Sequence, residues 1–199
     1  MYPEEFTTKV TVGPMAQRLC GAHRPGHFDG VCTAVMKLLG IVQPYRLYLG
    51  EKDAQQLQII RRIVIDMNLH VKVVSVPTKR EKDGLAMSSR NALLSEGERA
   101  EAVKLYEALR MAQKDILIGN ERDPESLIGR MRAHILSDSG FEIDYVAAVD
   151  PETLEDRSIL KGRTLIALAA RLGSVRLIDN ILINVPGGQL AAGLSSIGK

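Results

Sequence analysis

The sequence has few of the residues that build metal centres or disulfide frameworks. Among 199 residues there are two cysteines, Cys20 and Cys32, and four histidines. The cysteines lack the CxxC spacing of a zinc or redox motif, and the histidines are scattered. We therefore expect no protein-bound metal centre, and we expect both thiols to be free and buried, as in a reducing cytosol.

Long runs of one kind of residue are also missing. No stretch has the length and apolar character of a membrane span, and residues 1–5 lack the basic and apolar pattern of a signal peptide. The 26 Lys and Arg residues are interleaved with 24 Asp and Glu residues. The sequence therefore shows no broad surface for nucleic acid or membrane, and we expect a cytoplasmic location.

The first half of the chain has the pattern of a parallel sheet covered by helices. A strand is predicted over residues 8–12, and a helix with an apolar face is predicted to end near Gly40. Residues 45–49, 53–69 and 71–76 then have the patterns of strand, helix and strand. Such a βαβ unit requires parallel pairing and a right-handed crossover.

The second half changes from helices to strands. Ser95 and Glu98 have capping-box spacing and predict a helix that ends near Gly119, and Asp123-Pro124 predicts the start of another helix. Three strands are predicted after it, over residues 141–149, 164–170 and 175–185. Helices followed by strands indicate an α+β arrangement.

The predicted fold class is therefore α/β. We expect residues 1–92 to form an incomplete Rossmann-like parallel sheet and residues 93–186 to form a small α+β domain. Residues 187–199 are rich in Gly, Ala and Ser, and we expect them to be a disordered tail.

The motif Gly50-Glu51-Lys52-Asp53 lies at a predicted junction between strand and helix, where ligands of parallel sheets bind. Asp53 and Gln56 have capping-box spacing, which offers a purely structural explanation. Lys52 does not fit that explanation, because a cation at the positive end of a helix dipole is unfavourable unless an anion is bound there. The motif indicates either a capped helix or a phosphate site.

A second polar cluster spans residues 83–91, between the two predicted domains. The hydroxyls of Ser88 and Ser89, the guanidinium of Arg90 and a flexible Gly84 are suited to a mobile phosphate clamp. An exposed loop in which Ser and Asn only form turns is an equally ordinary explanation. The cluster alone is therefore weak evidence of function.

Together, the two clusters resemble the pantothenate synthetase family. Gly-Glu-Lys-Asp-x-Gln-Gln occupies residues 50–56, and Asp-Gly-Leu-Ala-Met-Ser-Ser-Arg-Asn occupies residues 83–91. Further similar segments are Arg-Pro-Gly-His-Phe-x-Gly-Val at 24–31, Val-Gln-Pro at 42–44, Ala-Arg-Leu-Gly at 170–173 and Arg-Leu-Ile-Asp-Asn at 176–180. The resemblance covers residues 1 to about 185 and implies a nucleotidyltransferase fold similar to class I aminoacyl-tRNA synthetases.

The resemblance implies an adenylate-forming ligase that uses ATP with Mg²⁺ and acts as a homodimer. The pantoate carboxylate would attack the α-phosphorus of ATP and release pyrophosphate, and the amine of β-alanine would then displace AMP. Negative charge builds up on the transferring phosphoryl group, so preplaced cations and donors lower the barrier. The resemblance implies that Lys52, Ser88, Ser89 and Arg90 are the catalytic residues that supply these cations and donors.

The resemblance also implies ligand contacts. The pantoate contacts would be Gln56, Ala34 and Val35, although core packing explains the Ala-Val pair equally well. A loop at residues 83–90 would close over the nucleotide and keep water from the acyl adenylate. The implied ATP contacts are Gly50, Glu51, Lys52, Asp53, Lys79, Met87, Ser88, Ser89 and Arg90, with Lys79 placed where the family's backbone meets adenine.

The family's His-x-Gly-His motif and its upstream glutamine have no counterpart in the sequence. His23 and His27 are separated by one residue too many, and we expect this segment to form a loop and a helix start. The sheet should then lack its central strand and leave an edge unpaired, and the chain alone should show little AMP release.

Two alternatives stay open for the function of the chain. Besides the ligase that the resemblance implies, these are a non-catalytic nucleotide-binding or interaction module derived from such an enzyme, and a related transferase that acts on another acid. The second alternative is disfavoured, because Gln56 and the residues around Arg24 match the pantothenate synthetase pattern.

Overall fold

The computed structural model describes residues 1–186, which form two sheets with helices packed on them. The tail predicted over residues 187–199 lies outside the described residues. The helices are α1 (Cys20–His23), α2 (His27–Val42), α3 (Ala54–Asp66), α4 (Glu96–Glu101), α5 (Lys104–Leu117) and α6 (Pro124–Leu136). The strands are β1 (Arg46–Gly50), β2 (Lys72–Val76), β3 (Phe141–Val149), β4 (Gly162–Leu172) and β5 (Val175–Val185).

The first sheet consists of β1 and β2, which run parallel in register from Arg46 opposite Lys72 to Gly50 opposite Val76. Helix α3 connects them, because parallel neighbours require a long crossover. Its residues Ile59 and Ile60 are fully buried and pack with Cys32 of α2. We call this buried cluster the first core. The predicted βαβ unit and the α/β fold class are confirmed.

The strand predicted over residues 8–12 is wrong. That segment forms no ladder with any described strand, and the N–H of Val10 donates instead to Oγ1 of Thr33 at 2.9 Å. Alternation is a property of side chains, whereas a strand also needs a neighbouring backbone to pair with. Val10 and Val12 still pack against the first core, which explains their apolar character.

The capping box of Ser95 and Glu98 is confirmed, because each side chain bonds the backbone N–H of the other residue. The long helix predicted after it is divided into α4 and α5. At the division the N–H of Leu105 bonds the carbonyl of Ala102, three residues earlier, which tightens the turn. Helix α6 begins as predicted, with the carboxylate of Asp123 accepting from two of its first amides.

The second sheet has the antiparallel order β3-β4-β5, and α5 and α6 cover one face. Leu109, Met131 and Ile166 are fully buried in this second core. We propose that the two cores mark two domains near the predicted boundary at residue 92. The connecting segment belongs partly to the second, because Leu85 packs in the second core.

Both cysteines are free and buried, as expected. Burial raises the pKa of the Cys32 thiol to about 11, so this thiol stays protonated and unreactive near neutral pH. Of the helices in residues 1–186, none is both long and apolar enough to cross a membrane.

Candidate functional site

A cleft of about 190 Å³ lies beyond the carboxyl end of β1, between the two sheets. Lys52 and Asp53 line it from the 3₁₀ turn Glu51–Asp53, Gln56 lines it from α3, and Arg90 lines it from the second polar cluster. The fold therefore brings both polar clusters of the sequence to one cavity. We call this cavity the first cleft.

A smaller cavity is lined by Lys52, Ser88 and Arg90. Ser88 caps the 3₁₀ helix Ser89–Leu93, where its Oγ accepts from the N–H of Arg90 at 3.2 Å. This cap fixes the backbone from which the Arg90 side chain extends. The hydroxyl of Ser88 can still donate a hydrogen bond to a ligand, since a hydroxyl both donates and accepts.

The capping box predicted for Asp53 and Gln56 is wrong. Asp53 precedes α3, but its side chain makes no capping hydrogen bond. Its backbone angles, φ −95° and ψ 57°, differ from the extended conformation that directs a cap side chain back to the helix amides. The carboxylate of Asp53 is exposed and lines the first cleft instead.

The neighbouring glutamines of α3 have different roles. Gln55 is buried, its Oε1 accepts from the N–H of Cys20 at 3.0 Å, and its Nε2 donates to the carbonyls of Met15 and Arg18 at 2.8 and 2.7 Å. All of these bonds are internal, so Gln55 ties residues 15–20 to the helix. The Gln56 side chain makes no such bond within residues 1–186 and is available to a ligand.

The second polar cluster is not an exposed loop throughout, because residues 84–86 are buried. Gly84 has φ +96°, and a Cβ there would lie 2.0 Å from the ring of Tyr106. Asn91 adds a bond from its Nδ2 to Oε1 of Glu81 at 2.7 Å. The tip of the cluster, which includes Met87, Ser89 and Arg90, is exposed, as is Asp83 at its start.

His27 was expected only to start a helix, and α2 does begin there. Its ring also lines the first cleft, where its Nε2 lies 3.1 Å from Nη1 of Arg24. Burial lowers the pKa of His27, and the nearby guanidinium groups of Arg24, Arg176 and Arg90 lower it further. Burial first, and then the positive charge of the cleft, therefore favour the neutral imidazole.

Arg176 is a second site residue whose place the sequence did not indicate. Its Nε donates to the carboxylate of Asp144 at 2.6 Å, and both terminal nitrogens lie 3.6 Å from Sγ of Cys20. The hydroxyl of Tyr145 lies 3.2 Å from the same sulfur. Burial raises the pKa of Tyr145, so its hydroxyl stays protonated. This cluster closes one wall of the cleft.

The second sheet also supports the turn that carries Lys52. Nδ2 of Asn180 donates to the carbonyls of Glu51 and Lys52 at 3.0 and 2.8 Å. The neighbouring Asp179 is 4% exposed and accepts two bonds from Arg80, at 2.6 and 3.0 Å. Strand β5 thus holds in place the backbone of Lys52, which lines the first cleft.

Several residues expected at the site lie elsewhere. Ala34 and Val35 of α2 are not part of the cleft lining described, and Val35 packs in the first core, which favours the core-packing explanation. Glu51 faces a second cavity. Lys79 is exposed, and its backbone carbonyl accepts from the N–H of Met87 at 2.9 Å. All ligand contacts expected from the sequence stay predictions, including those of Gly50, Glu51, Lys79, Met87, Ser89, Ala34 and Val35.

The described residues contain no group of three His, Cys, Asp or Glu side chains placed to hold a metal ion.

Comparison with known proteins identifies the family. The family model for pantoate-beta-alanine ligase matches residues 1–182. Pantothenate synthetase from Caldicellulosiruptor bescii is 49% identical over 183 residues, which are 92% of this chain and 64% of that protein. The chain therefore belongs to the pantoate-beta-alanine ligase family.

Solved structures of the family have the same fold. Pantothenate synthetase from Thermus thermophilus matches with a TM-score of 0.86 at 44% identity, over 91% of this chain and 65% of that one. Pantoate-beta-alanine ligase from Francisella tularensis, complexed with beta-gamma ATP and beta-alanine, matches with a TM-score of 0.66 at 36% identity, over 88% and 58% of the two chains. The chain spans 64% and 65% of the length of the Caldicellulosiruptor and Thermus proteins.

Proposed function

We propose that this chain carries part of the active site of an ATP-dependent ligase that joins pantoate to β-alanine through a pantoyl adenylate. The observation that carries the proposal is the convergence of Lys52, Arg90 and Gln56 on one cleft. The lysine and the arginine come from segments on opposite sides of β2 in the sequence. Neither cation forms an ion pair with a carboxylate within residues 1–186. A shared anionic ligand is the simplest explanation for their convergence on one cleft.

The chemistry asked of these groups is electrostatic. When the pantoate carboxylate oxygen attacks the α-phosphorus, the bond to pyrophosphate breaks and negative charge moves onto the departing oxygens. Lys52 and Arg90 would hold those oxygens, and the hydroxyls of Ser88 and Ser89 would add hydrogen bonds. The neutral His27 leaves the positive charge of the cleft to the permanent cations. Mg²⁺ enters in this proposal as part of the MgATP substrate.

The second half-reaction requires that water stay away from the mixed anhydride. The amine of β-alanine attacks the pantoyl carbonyl carbon, and AMP leaves with the bonding electron pair. Arg90 lines the first cleft, and the tip at residues 87–90 from which it extends would cover the nucleotide there. Gln56, whose amide is free, would bind the hydroxyl or carboxylate of pantoate.

The relatives support the choice of substrates. The Francisella protein was solved with beta-gamma ATP and beta-alanine, and it shares 36% identity with this chain. The homodimer and the cytoplasmic location, like the domain boundary, stay predictions.

Binding of MgATP to the 199-residue chain tests the proposal, with isothermal titration calorimetry as the measurement. Lys52→Ala should weaken binding about tenfold or more, the effect of removing one charge-assisted hydrogen bond. Lys72→Ala is the matched control, because Lys72 is exposed at the opposite end of the parallel sheet. Equal affinity of Lys52→Ala and the unaltered chain would refute the phosphate role of Lys52.

A further inference from the structure

A second cleft, of about 400 Å³, lies beside the first one. Ala54, Leu165 and Asn180 line both cavities, so these residues form the wall between them. The second cleft is bounded by α3, the end of β2, α5 and β5. Its volume lies within the range of roughly 300 to 1,000 Å³ that is usual for small-molecule sites.

The second cleft is lined mainly by positively charged side chains. Arg61, Arg80, Arg110 and Arg163 all line it, whereas Glu51 is the only carboxylate among the described lining residues. Cations that surround one cavity repel each other, and the repulsion grows as the effective dielectric constant falls. An anion in the cavity would turn that repulsion into attraction.

Two of the four arginines already have carboxylate partners. Arg80 is paired with the buried Asp179, at 2.6 Å. Arg163 lies 3.4 Å from Glu152, and both side chains are largely exposed, so that pair is weak and readily exchanged.

The other two are available to a ligand. Within residues 1–186, neither Arg61 nor Arg110 forms an ion pair. Nη1 of Arg110 donates only to the neutral amide of Gln113, at 2.6 Å. The planar guanidinium matches the oxygen geometry of a phosphate group better than that of a halide or a single hydroxyl.

The remaining wall of the second cleft is apolar. Leu57 and Leu165 form its buried part, and Leu182 of β5 stands at the cavity with 46% of its surface exposed. A ligand that covered Leu182 would gain hydrophobic free energy in addition to its ion pairs. A bare inorganic anion would leave this part of the cavity unused.

We propose that the second cleft binds a phosphate monoester that carries an apolar or aromatic group. The phosphate lies between Arg61 and Arg110, and the organic group lies on Leu57 and Leu182. This site is additional to the proposed nucleotide site, because its four arginines and the apolar residues Leu57 and Leu182 do not line the cleft around Lys52.

Phenyl phosphate is a suitable probe, titrated into the 199-residue chain that is saturated with MgATP, with calorimetry as the measurement. Arg61→Gln should weaken its binding about tenfold, as expected when one charge-assisted hydrogen bond is lost. Arg62→Gln is the matched control on the same helix, because Arg62 is already paired with Asp66. That variant should bind phenyl phosphate as the unaltered chain does.

Further arms separate this site from the first cleft. Lys52→Ala, measured without MgATP, should leave phenyl phosphate binding unchanged even where MgATP binding is lost. Inorganic phosphate should bind more weakly than phenyl phosphate, because it cannot cover Leu182. The proposal is overturned if phenyl phosphate shows no saturable binding, if Arg61→Gln has no effect, if Lys52→Ala abolishes binding, or if inorganic phosphate binds equally well.

Discussion

The molecule has a first region around the parallel sheet and a second region around the antiparallel sheet. The two regions differ sharply in how completely their strands are buried. In β1 and β2 no residue is buried, whereas every residue from Thr164 to Ala170 of β4 is. Yet the residues expected to contact ATP and pantoate lie in the first region and in the segment that follows it. The residues expected to bind ligands thus lie in the less buried first region, and contacts from the well-packed second region hold them in place.

The support comes through a few specific contacts. Asn180 bonds the turn that carries Lys52, and Arg18 pairs with Glu155 at 3.1 Å. Tyr145 of β3 packs against the first core and contacts Cys20. Stability and ligand binding should therefore respond differently to changes in the two regions, and three comparisons of variants measure that difference.

The largest effect is expected from matched leucines in the two cores. Leu109 is fully buried in the second core, and Leu47 of β1 is only half-buried against the first. Leu109→Ala should lower the free energy of unfolding by about 3 kcal/mol, and Leu47→Ala by about 1 kcal/mol, since the cost follows the cavity left behind. Urea unfolding measures both values. Equal losses would show that the first core is as well packed as the second.

A smaller effect is expected where the second region supports the turn. Asn180→Asp replaces a donor by a carboxylate that faces the carbonyls of Glu51 and Lys52. The resulting repulsion should displace Lys52 and weaken MgATP binding about tenfold. Asn184→Asp is the control, because Asn184 is exposed on the same strand. If both variants bind MgATP equally well, the contact of Asn180 does not position the cation.

The smallest effect concerns acid stability within the second region. Glu121 accepts bonds from the N–H of Asp123, from Arg130 and from the N–H of Arg122. These contacts, with the Asp123 bond first, lower the pKa of Glu121 to about 2. Because the folded state holds the charged form, this stabilisation is complete above the ordinary glutamate pKa of about 4.3. It is lost as the pH falls towards 2.

Glu121→Gln should therefore lower the free energy of unfolding by about 1 kcal/mol at about pH 7, after allowance for solvent screening. The difference from the unaltered chain should shrink between about pH 4.5 and about pH 2. Urea midpoints across that range measure it, with the exposed Glu142→Gln as control. A difference that stays constant over the whole range would show that the charge of Glu121 is not what stabilises the helix connection.

Sequence patterns predicted the parts of the fold that depend on short-range order. The βαβ unit was predictable because the apolar periodicity changes from about two to about 3.6 residues and back. The turn that carries Lys52 follows β1 directly, so its place at the carboxyl end of that strand was predictable too. The meeting of Lys52 with Arg90 depended on the family resemblance. No periodicity places two loops on one cavity when they are separated by a helix and a strand.

Other site residues had no readable signal. Gln55 and Gln56 are identical and adjacent, and only the direction in which each leaves α3 decides that one is structural and the other faces the cleft. Arg176 and Asn180 lie on β5, whose sequence pattern indicates which residues are buried but not which residues of the other sheet's region they contact. The strand expected over residues 8–12 failed for a related reason, because pairing is a long-range property.

Strands β1 and β2 pair only with each other among residues 1–186. Each therefore leaves one outer row of backbone amide and carbonyl groups that a further strand could bond without any particular side chains. Tyr48 of β1 and Tyr45, which directly precedes this strand, are both exposed. In concentrated solution a strand of another molecule can add to such an edge, so dilution and an added charge near Tyr48 are practical means of keeping the chain dispersed.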